Sequence, residues 1–128
     1  IKVHGIKPLD VVDAPTWDVA WKEVESYITD STLVIAHNLR SMELACIRQE
    51  CERYNMELPP FAKVRGHNKM AYDTLKIAKD NYSDLENHRL DTLAKYFNIN
   101  LEHHKALSDA KACLELFHHL KGDYSTNV

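Results

Sequence analysis

The sequence predicts an α/β fold that is rich in helix, and three observations support this class. The apolar run at residues 32–36 is β-branched in part and does not alternate with polar residues, so a strand buried on both faces is predicted at 33–36. Most other segments repeat apolar residues at helical spacing. A single strand would leave its backbone donors and acceptors unpaired on both edges. This imbalance indicates that part of the sheet lies outside the sequence.

The first predicted helix begins after Thr16, which is placed to cap it. Trp17, Trp21, Val24 and Ile28 then recur at helical spacing. The two tryptophans are therefore predicted to be core residues rather than a platform on which bases stack.

The remaining elements are also predicted from spacing. The second helix ends at the proline pair 59–60, and 61–70 is predicted as a loop with room for a short strand. Its stripe is Leu44, Ile47, Cys51 and Tyr54. Three later helices carry Leu75 and Ala78, then Leu90, Leu93, Ala94 and Phe97, then Ala106, Ala110, Cys113, Leu114 and Phe117, ending near 121–122.

Size and charge indicate a single domain over residues 1–128. The chain has 128 residues, a net charge of -3 and 45% hydrophobic residues, which suits one core. A pI near 6.2 excludes a broad basic surface, so nucleic-acid binding would need a local site.

The sequence shows neither a targeting signal nor the cysteine spacing of a disulfide framework or a zinc ribbon. No apolar run reaches the roughly 18 residues of a membrane helix, and the start of the sequence lacks a signal-peptide pattern, so a cytoplasmic protein is expected. Cys46, Cys51 and Cys113 are odd in number and never spaced C-x-x-C, so we expect reduced cysteines acting as small buried hydrophobes.

The densest group of polar residues lies at 103–110. His104 precedes the last helix and suits a general base near neutral pH, while Asp109, in its first turns, suits a divalent cation. Asp109 adjoins the predicted stripe of Ala110 and Cys113 without lying on it, and should project from its rim. The alternative is a surface histidine and an acid favoured by the helix dipole.

Residues 104–110 are similar to the third motif, H-x-A-x-x-D-A, of DnaQ-like DEDDh 3′-to-5′ exonucleases. Residues 87–94 resemble the N-x-x-L-x-x-L-a helix of that family. Residues 3–6, 13–16 and 34–38 resemble its h-G-I turn, its d-A-P-t helix start and the strand that opens its second motif. The matches keep the family order across nearly the whole chain.

The resemblance implies a ribonuclease-H-like fold in which four carboxylates hold two Mg²⁺ or Mn²⁺ ions and a histidine activates water. It implies that Asp109 is a metal ligand, that His104 is the general base, and that His37 and Asn38 bind substrate. The substrate would be a nucleic-acid 3′ end, of DNA or RNA.

The first departure from the family is a missing motif. The D-x-E strand should precede residues 3–6 by several tens of residues and does not occur in the sequence. The N-terminal strands, with two of four metal ligands, are therefore expected to be truncated or supplied by a further chain or segment.

The second departure is at the family's H-N-x-x-F-D motif, where residues 37–43 read HNLRSME. Glu43 replaces the aspartate as a metal ligand if the alignment carries a one-residue insertion. If Met42 instead matches the residue after the missing aspartate, the motif is shortened, no carboxylate remains and Glu43 is an exposed helix acid.

Two further sites have alternative interpretations. The basic residues Lys63, Arg65 and Lys69 would contact phosphates, or would belong to a solvated loop. The histidine pairs 103–104 and 118–119 are separated by about 22 Å of helix, which excludes one shared tetrahedral metal site.

Three functions remain open from the sequence. The first is a metal-dependent 3′-to-5′ exonuclease. The second is an inactive module of the same fold that binds nucleic acid or a protein partner. The third is an unrelated helical interaction domain, which a parallel or mixed sheet containing residues 33–36 would exclude.

Overall fold

A computed structural model describes residues 6–29, 31–39, 42–63, 70–102 and 105–121. After a 3-10 helix at Pro8–Val11, the order is α1 (Trp17–Glu25), β1 (Val34–Ala36), α2 (Glu43–Arg53), α3 (Pro60–Lys63), β2 (Ala71–Asp73), α4 (Thr74–Asn81), α5 (Leu90–Tyr96) and α6 (Ala106–Leu120).

The described strands β1 and β2 form a parallel pair, which confirms an α/β architecture. Val34 pairs with Ala71 and Ala36 with Asp73, and the Val34 N–H donates to the Met70 carbonyl at 2.8 Å. In this register the backbone N–H and C=O of Ile35 point to the opposite edge, where no described strand lies. The parallel pair excludes the unrelated helical domain.

Apolar side chains of the described residues form two separate clusters. The first, here called the C-terminal core, contains Tyr72, Ala78, Leu93, Ala94, Ile99, Ala112, Leu116 and Leu120. The second, here called the N-terminal cluster, contains Trp21, Ala36, Leu39, Leu44, Phe61 and Ala62.

The strand prediction at 33–36 is confirmed only in part. Leu33 precedes β1 and is 41% exposed, Val34 and Ile35 are partly exposed, and only Ala36 is buried. Full burial was wrong because the described elements leave the outer edge of β1 open. The second strand, β2, was not predicted, and the part of the predicted loop at 64–69 lies outside the described residues.

The last helix was predicted with the wrong buried face. Ala110 and Leu114 are exposed, whereas Ala112, Leu116 and Leu120 are buried. Because α6 carries apolar residues on two faces, spacing alone does not show which face meets the core.

The second helix and the cysteines also differ from expectation. Helix α2 ends at Arg53, before the proline pair, and Asn55 follows with a left-handed φ of 53°. Cys51 and Cys113 are buried, as expected, but Cys46 is exposed. All three cysteines are free.

The first helix matches its prediction better. Thr16 is its N-cap residue, although the hydroxyl donates to the Asp18 carboxylate instead of bonding the helix backbone. Trp21 is buried and Trp17 stacks on it at 5.1 Å, consistent with core tryptophans. No helix in the described ranges is long and apolar enough to span a membrane.

Candidate active site

The two parallel strands end side by side, and Asp73, the last residue of β2, bonds to the turn that follows β1. Its Oδ1 accepts the N–H of Asn38 at 2.9 Å and of Leu75 at 3.0 Å, and its Oδ2 accepts the N–H of Leu39 at 3.1 Å. Asn38 adopts a φ of 67°, which asparagine tolerates better than most residues. Asp73 therefore caps α4 and also fixes the turn after β1.

His37, the first residue after β1, uses both ring nitrogens within the protein. Its Nε2 lies 2.7 Å from the His88 carbonyl, which only accepts, so Nε2 carries the proton. Its Nδ1 lies 2.8 Å from the Thr74 hydroxyl. Burial lowers the pKa of His37 and favours the neutral ring, in which Nδ1 is an acceptor.

Thr74 connects this histidine to helix α6. It is fully buried, and its Oγ1 lies 3.6 Å from the Cys113 sulfur and 3.3 Å from the Ala36 carbonyl. Burial raises the pKa of Cys113, and the charges of Glu43 and Asp73 add to the rise. The carboxylates of Glu43 and Asp73 therefore lie close enough to Cys113 to act on it.

Glu43 is the first residue of α2 and lies near Asp73. The residue is exposed overall, but partial burial of its carboxyl group raises its pKa, with a further contribution from Asp73. A carboxylate held beside another carboxylate favours a proton or a cation as partner.

Asp109 lies one helical turn before Cys113. Its Oδ1 is buried and has no hydrogen-bond partner among the described residues. Asp109 was predicted to project from the rim of the buried stripe, and it is half-buried, one turn before the buried Ala112 and Cys113. A buried carboxylate oxygen without a partner is costly, and a cation would satisfy it.

Of the five predicted site residues, four are described: His37 and Asn38 follow β1, Glu43 begins α2, and Asp109 lies on α6 one turn before Cys113. The fifth, His104, lies outside the described residues, as do Arg65 and Lys69. The described residues contain no group of three or more His, Cys, Asp or Glu side chains arranged to hold a metal. Two important residues, Asp73 and Thr74, were not predicted, although an aspartate directly before the helical pattern at Leu75 is a capping signal.

Comparison with known proteins gives one consistent result. The sequence model of the RNase_T family, described as exonuclease, matches residues 1–117. A DNA polymerase III PolC-type from Caldanaerobacter subterraneus subsp. tengcongensis is 31% identical over 117 residues, which is 91% of this chain and 8% of the relative. The PolC-type proteins of Listeria innocua and Bacillus subtilis are 37% and 31% identical over 113 residues each, 88% of this chain and 7% of theirs. The chain thus spans less than a tenth of these curated relatives, and no solved structure matches it.

Proposed function

Because the chain belongs to the DnaQ-like exonuclease family, whose fold is ribonuclease-H-like and whose members are nucleases, we propose that it is the larger part of a 3′-to-5′ exonuclease domain. The domain hydrolyses phosphodiester bonds at nucleic-acid 3′ ends. The observation that carries this proposal is the buried Oδ1 of Asp109, which has no hydrogen-bond partner among the described residues and lies one turn from Cys113.

Asp109 and Glu43 would hold divalent cations. Carboxylate oxygens are the ligands that Mg²⁺ and Mn²⁺ prefer, and the unpartnered Asp109 oxygen fits such a donor. When two such ions are bound, they ready the nucleophile and stabilise the leaving oxygen. The position of Glu43 at the start of α2, near Asp73, favours the alignment with a one-residue insertion.

The remaining ligands would come from a D-x-E segment outside residues 1–128, on the same polypeptide or on another. The open edge of β1 supports this, because the Ile35 backbone groups face it without a described strand. The exposed apolar side chain of Leu33, directly before β1, supports the same conclusion, since it is 41% exposed. A strand added there would pair the backbone groups and cover this side chain.

His104 would be the general base. It stands between Leu101, which packs against the C-terminal core, and Lys105, the N-cap residue of α6. Asp109, the proposed metal ligand, is only five residues further along the chain. Since the relatives are DNA polymerases by name, DNA is favoured over RNA as the substrate.

The rival function is a binding module of the same fold without activity. The lack of a complete metal-ligand group among the described residues is the observation in its favour. The rival requires that nucleic acid or a protein partner binds without turnover, whether or not the D-x-E segment is present.

The test uses the full polypeptide that contains these residues, with a 5′-labelled single-stranded DNA and Mn²⁺. We expect shortening from the 3′ end that chelation of the metal stops. Asp109→Asn should abolish it, and His104→Ala should slow it about 10²–10⁴-fold, the usual contribution of a general base. Asp80→Asn, an exposed acid on α4, is the matched control and should leave the rate unchanged. DNA binding without shortening would favour the rival.

A further inference from the structure

We propose that His37 is a positioning residue that holds two walls of the active site in register, and that it does not contact the substrate. The inference rests on the proposed exonuclease function. It departs from the substrate-binding role that the family resemblance implies for this histidine.

The hydrogen bonds around His37 can run in only one direction. The His88 carbonyl must receive the Nε2 proton, which leaves Nδ1 of the neutral ring as an acceptor for the Thr74 hydroxyl. The Thr74 hydroxyl has a single proton to donate. Of its two acceptors, the Ala36 carbonyl at 3.3 Å is more distant than His37 Nδ1 at 2.8 Å. With that proton given to His37, Thr74 Oγ1 is left as an acceptor, and the Cys113 thiol, 3.6 Å away, can donate to it. Donation therefore runs from Cys113 through Thr74 and His37 to His88.

One end of this chain holds the loop at residues 82–89. The loop is organised within itself, because His88 Nε2 lies 2.7 Å from the Tyr82 carbonyl and Asn87 Oδ1 accepts from the Thr92 hydroxyl at 2.6 Å. His37 attaches this preformed loop to the carboxyl end of β1 through the His88 carbonyl. The loop thereby becomes a side wall of the site.

The other end of the chain reaches helix α6. Cys113 and Thr74 are both buried, so their contact fixes α6 against the start of α4. Asp109 lies one turn earlier on the same face of α6, about 6 Å along the helix axis. A shift of α6 at Cys113 therefore displaces the carboxylate that would hold the metal.

Neither ring nitrogen of His37 is left to bind a nucleotide. Both are engaged at 2.7–2.8 Å by groups of the protein, and the ring is largely buried. Contacts that orient metal ligands from behind typically change metal affinity or activity 10- to 100-fold when they are lost.

Two conservative substitutions separate the two connections. An asparagine places its amide oxygen near the position of Nδ1, so His37→Asn keeps an acceptor for Thr74 but does not reach His88. A glutamine places its amide nitrogen near the position of Nε2, so His37→Gln keeps a donor for His88 but offers no acceptor to Thr74.

In the full polypeptide with Mn²⁺, we expect His37→Asn to raise KM for a DNA 3′ end about tenfold with little change in kcat. We expect His37→Gln to lower kcat and Mn²⁺ affinity about tenfold with little change in KM. Thr74→Val should reproduce the His37→Gln result, and Thr74→Ser, which restores the hydroxyl, should recover most of the loss. A purely structural role would lower thermal stability without dividing the effects in this way.

Hydrogen exchange of the backbone amides supplies a readout that does not depend on activity. His37→Asn should speed exchange in residues 82–89 and leave α6 unchanged, and His37→Gln should do the opposite. If this division appears in a protein without nuclease activity, the positioning role stands and the proposed function fails. An equal rise of KM in both variants, with unchanged exchange, would overturn the proposal in favour of direct substrate contact.

Discussion

The C-terminal core and the N-terminal cluster differ in how completely they are closed. Four of the eight residues of the C-terminal core, Ala78, Leu93, Leu116 and Leu120, are fully buried. In the N-terminal cluster only Phe61 and Ala62 are buried to a similar degree, at 2% and 1% exposure, whereas Trp21 and Ala36 are each 8% exposed. The first packs against one face of the sheet, at Ile35 and Tyr72, together with helices α4, α5 and α6, whereas the second packs against the opposite face, at Val34, Ala36 and Ala71.

Exposed apolar residues follow the same division. Nine of the twelve exposed large hydrophobic residues in the described part of the chain precede α2. They are Ile6, Leu9, Val11, Val12, Val19, Val24, Tyr27, Leu33 and Met42. Concentrated exposure of this kind marks a surface that another element covers. Among the described residues, those from Tyr72 to Leu120 enclose most of a core of their own, while those before α2 carry most of the exposed large apolar side chains.

The largest expected effect is the loss of stability when a leucine in each cluster is replaced by alanine, which leaves a cavity. Leu116→Ala should lower the free energy of unfolding by about 3–5 kcal/mol, because the side chain is fully buried on all sides. Leu44→Ala, the matched change in the N-terminal cluster, should lower the free energy of unfolding by about 1–3 kcal/mol. The cost is smaller because this cluster is less completely covered, so that neighbouring side chains can relax into the cavity. Urea denaturation measures both.

Equal costs for the two leucines would contradict the comparison, since they would mean that the N-terminal cluster is already closed. In a longer polypeptide that contains the D-x-E segment, the cost of Leu44→Ala should rise toward that of Leu116→Ala, whereas the cost of Leu116→Ala should stay the same.

The sequence predicted helices better than strands, for a physical reason. Helix spacing is a local signal, and the buried stripe of α2 at Leu44 and Cys51 was predicted from it. Strand burial depends on neighbours from elsewhere in the chain, so Leu33 was predicted to be buried and is exposed. Helix α6 shows the limit of the local signal, because two apolar faces fit the same spacing and only the core decides between Ala110 and Ala112.

The site was predicted through family motifs and not through geometry. The family motifs identified His37, Asn38, Glu43 and Asp109 as candidate site residues. They did not identify the roles of Asp73 and Thr74, because these side chains bond to backbone amides and to His37 across 34 to 37 residues of sequence. Such contacts leave no periodic signal in the sequence.

The next largest expected effect concerns Asp73, which lies at the end of β2 and holds the turn after β1. Asp73→Asn replaces one acceptor oxygen with an amide donor facing backbone N–H groups, which should lower the free energy of unfolding by about 1–3 kcal/mol. Asp80→Asn, an exposed substitution on the same helix, should change it by less than about 0.5 kcal/mol. Thermal unfolding compares the pair, and an unchanged midpoint for Asp73→Asn would mean that the two strand ends are held by other contacts.

The smallest effect concerns Glu43 and the dependence of stability on pH in metal-free buffer. Its pKa is raised, so the folded protein holds this proton more tightly than the unfolded chain, whose ordinary value is 4.5. At pH values between 4.5 and the raised pKa, folding is therefore accompanied by uptake of a proton at Glu43. The contribution of this proton to the free energy of unfolding falls as pH rises through that range.

Glu43→Gln removes the group whose ionisation lowers the free energy of unfolding. The variant should therefore be more stable than the parent protein at pH 7 but not below about pH 4.5, the ordinary value of the carboxyl pKa. Because water screens an exposed carboxylate, the gain should stay below about 0.5 kcal/mol. Glu52→Gln, exposed on the same helix, is the control and should show no pH-dependent gain. In an Asp73→Asn background the gain from Glu43→Gln should shrink, because Asp73 contributes to the raised pKa. Two results would show that the Glu43 carboxylate is not held beside Asp73 at the carboxyl ends of the strands. One is a gain of equal size at pH 4 and pH 7, and the other is a gain that the loss of Asp73 leaves unchanged.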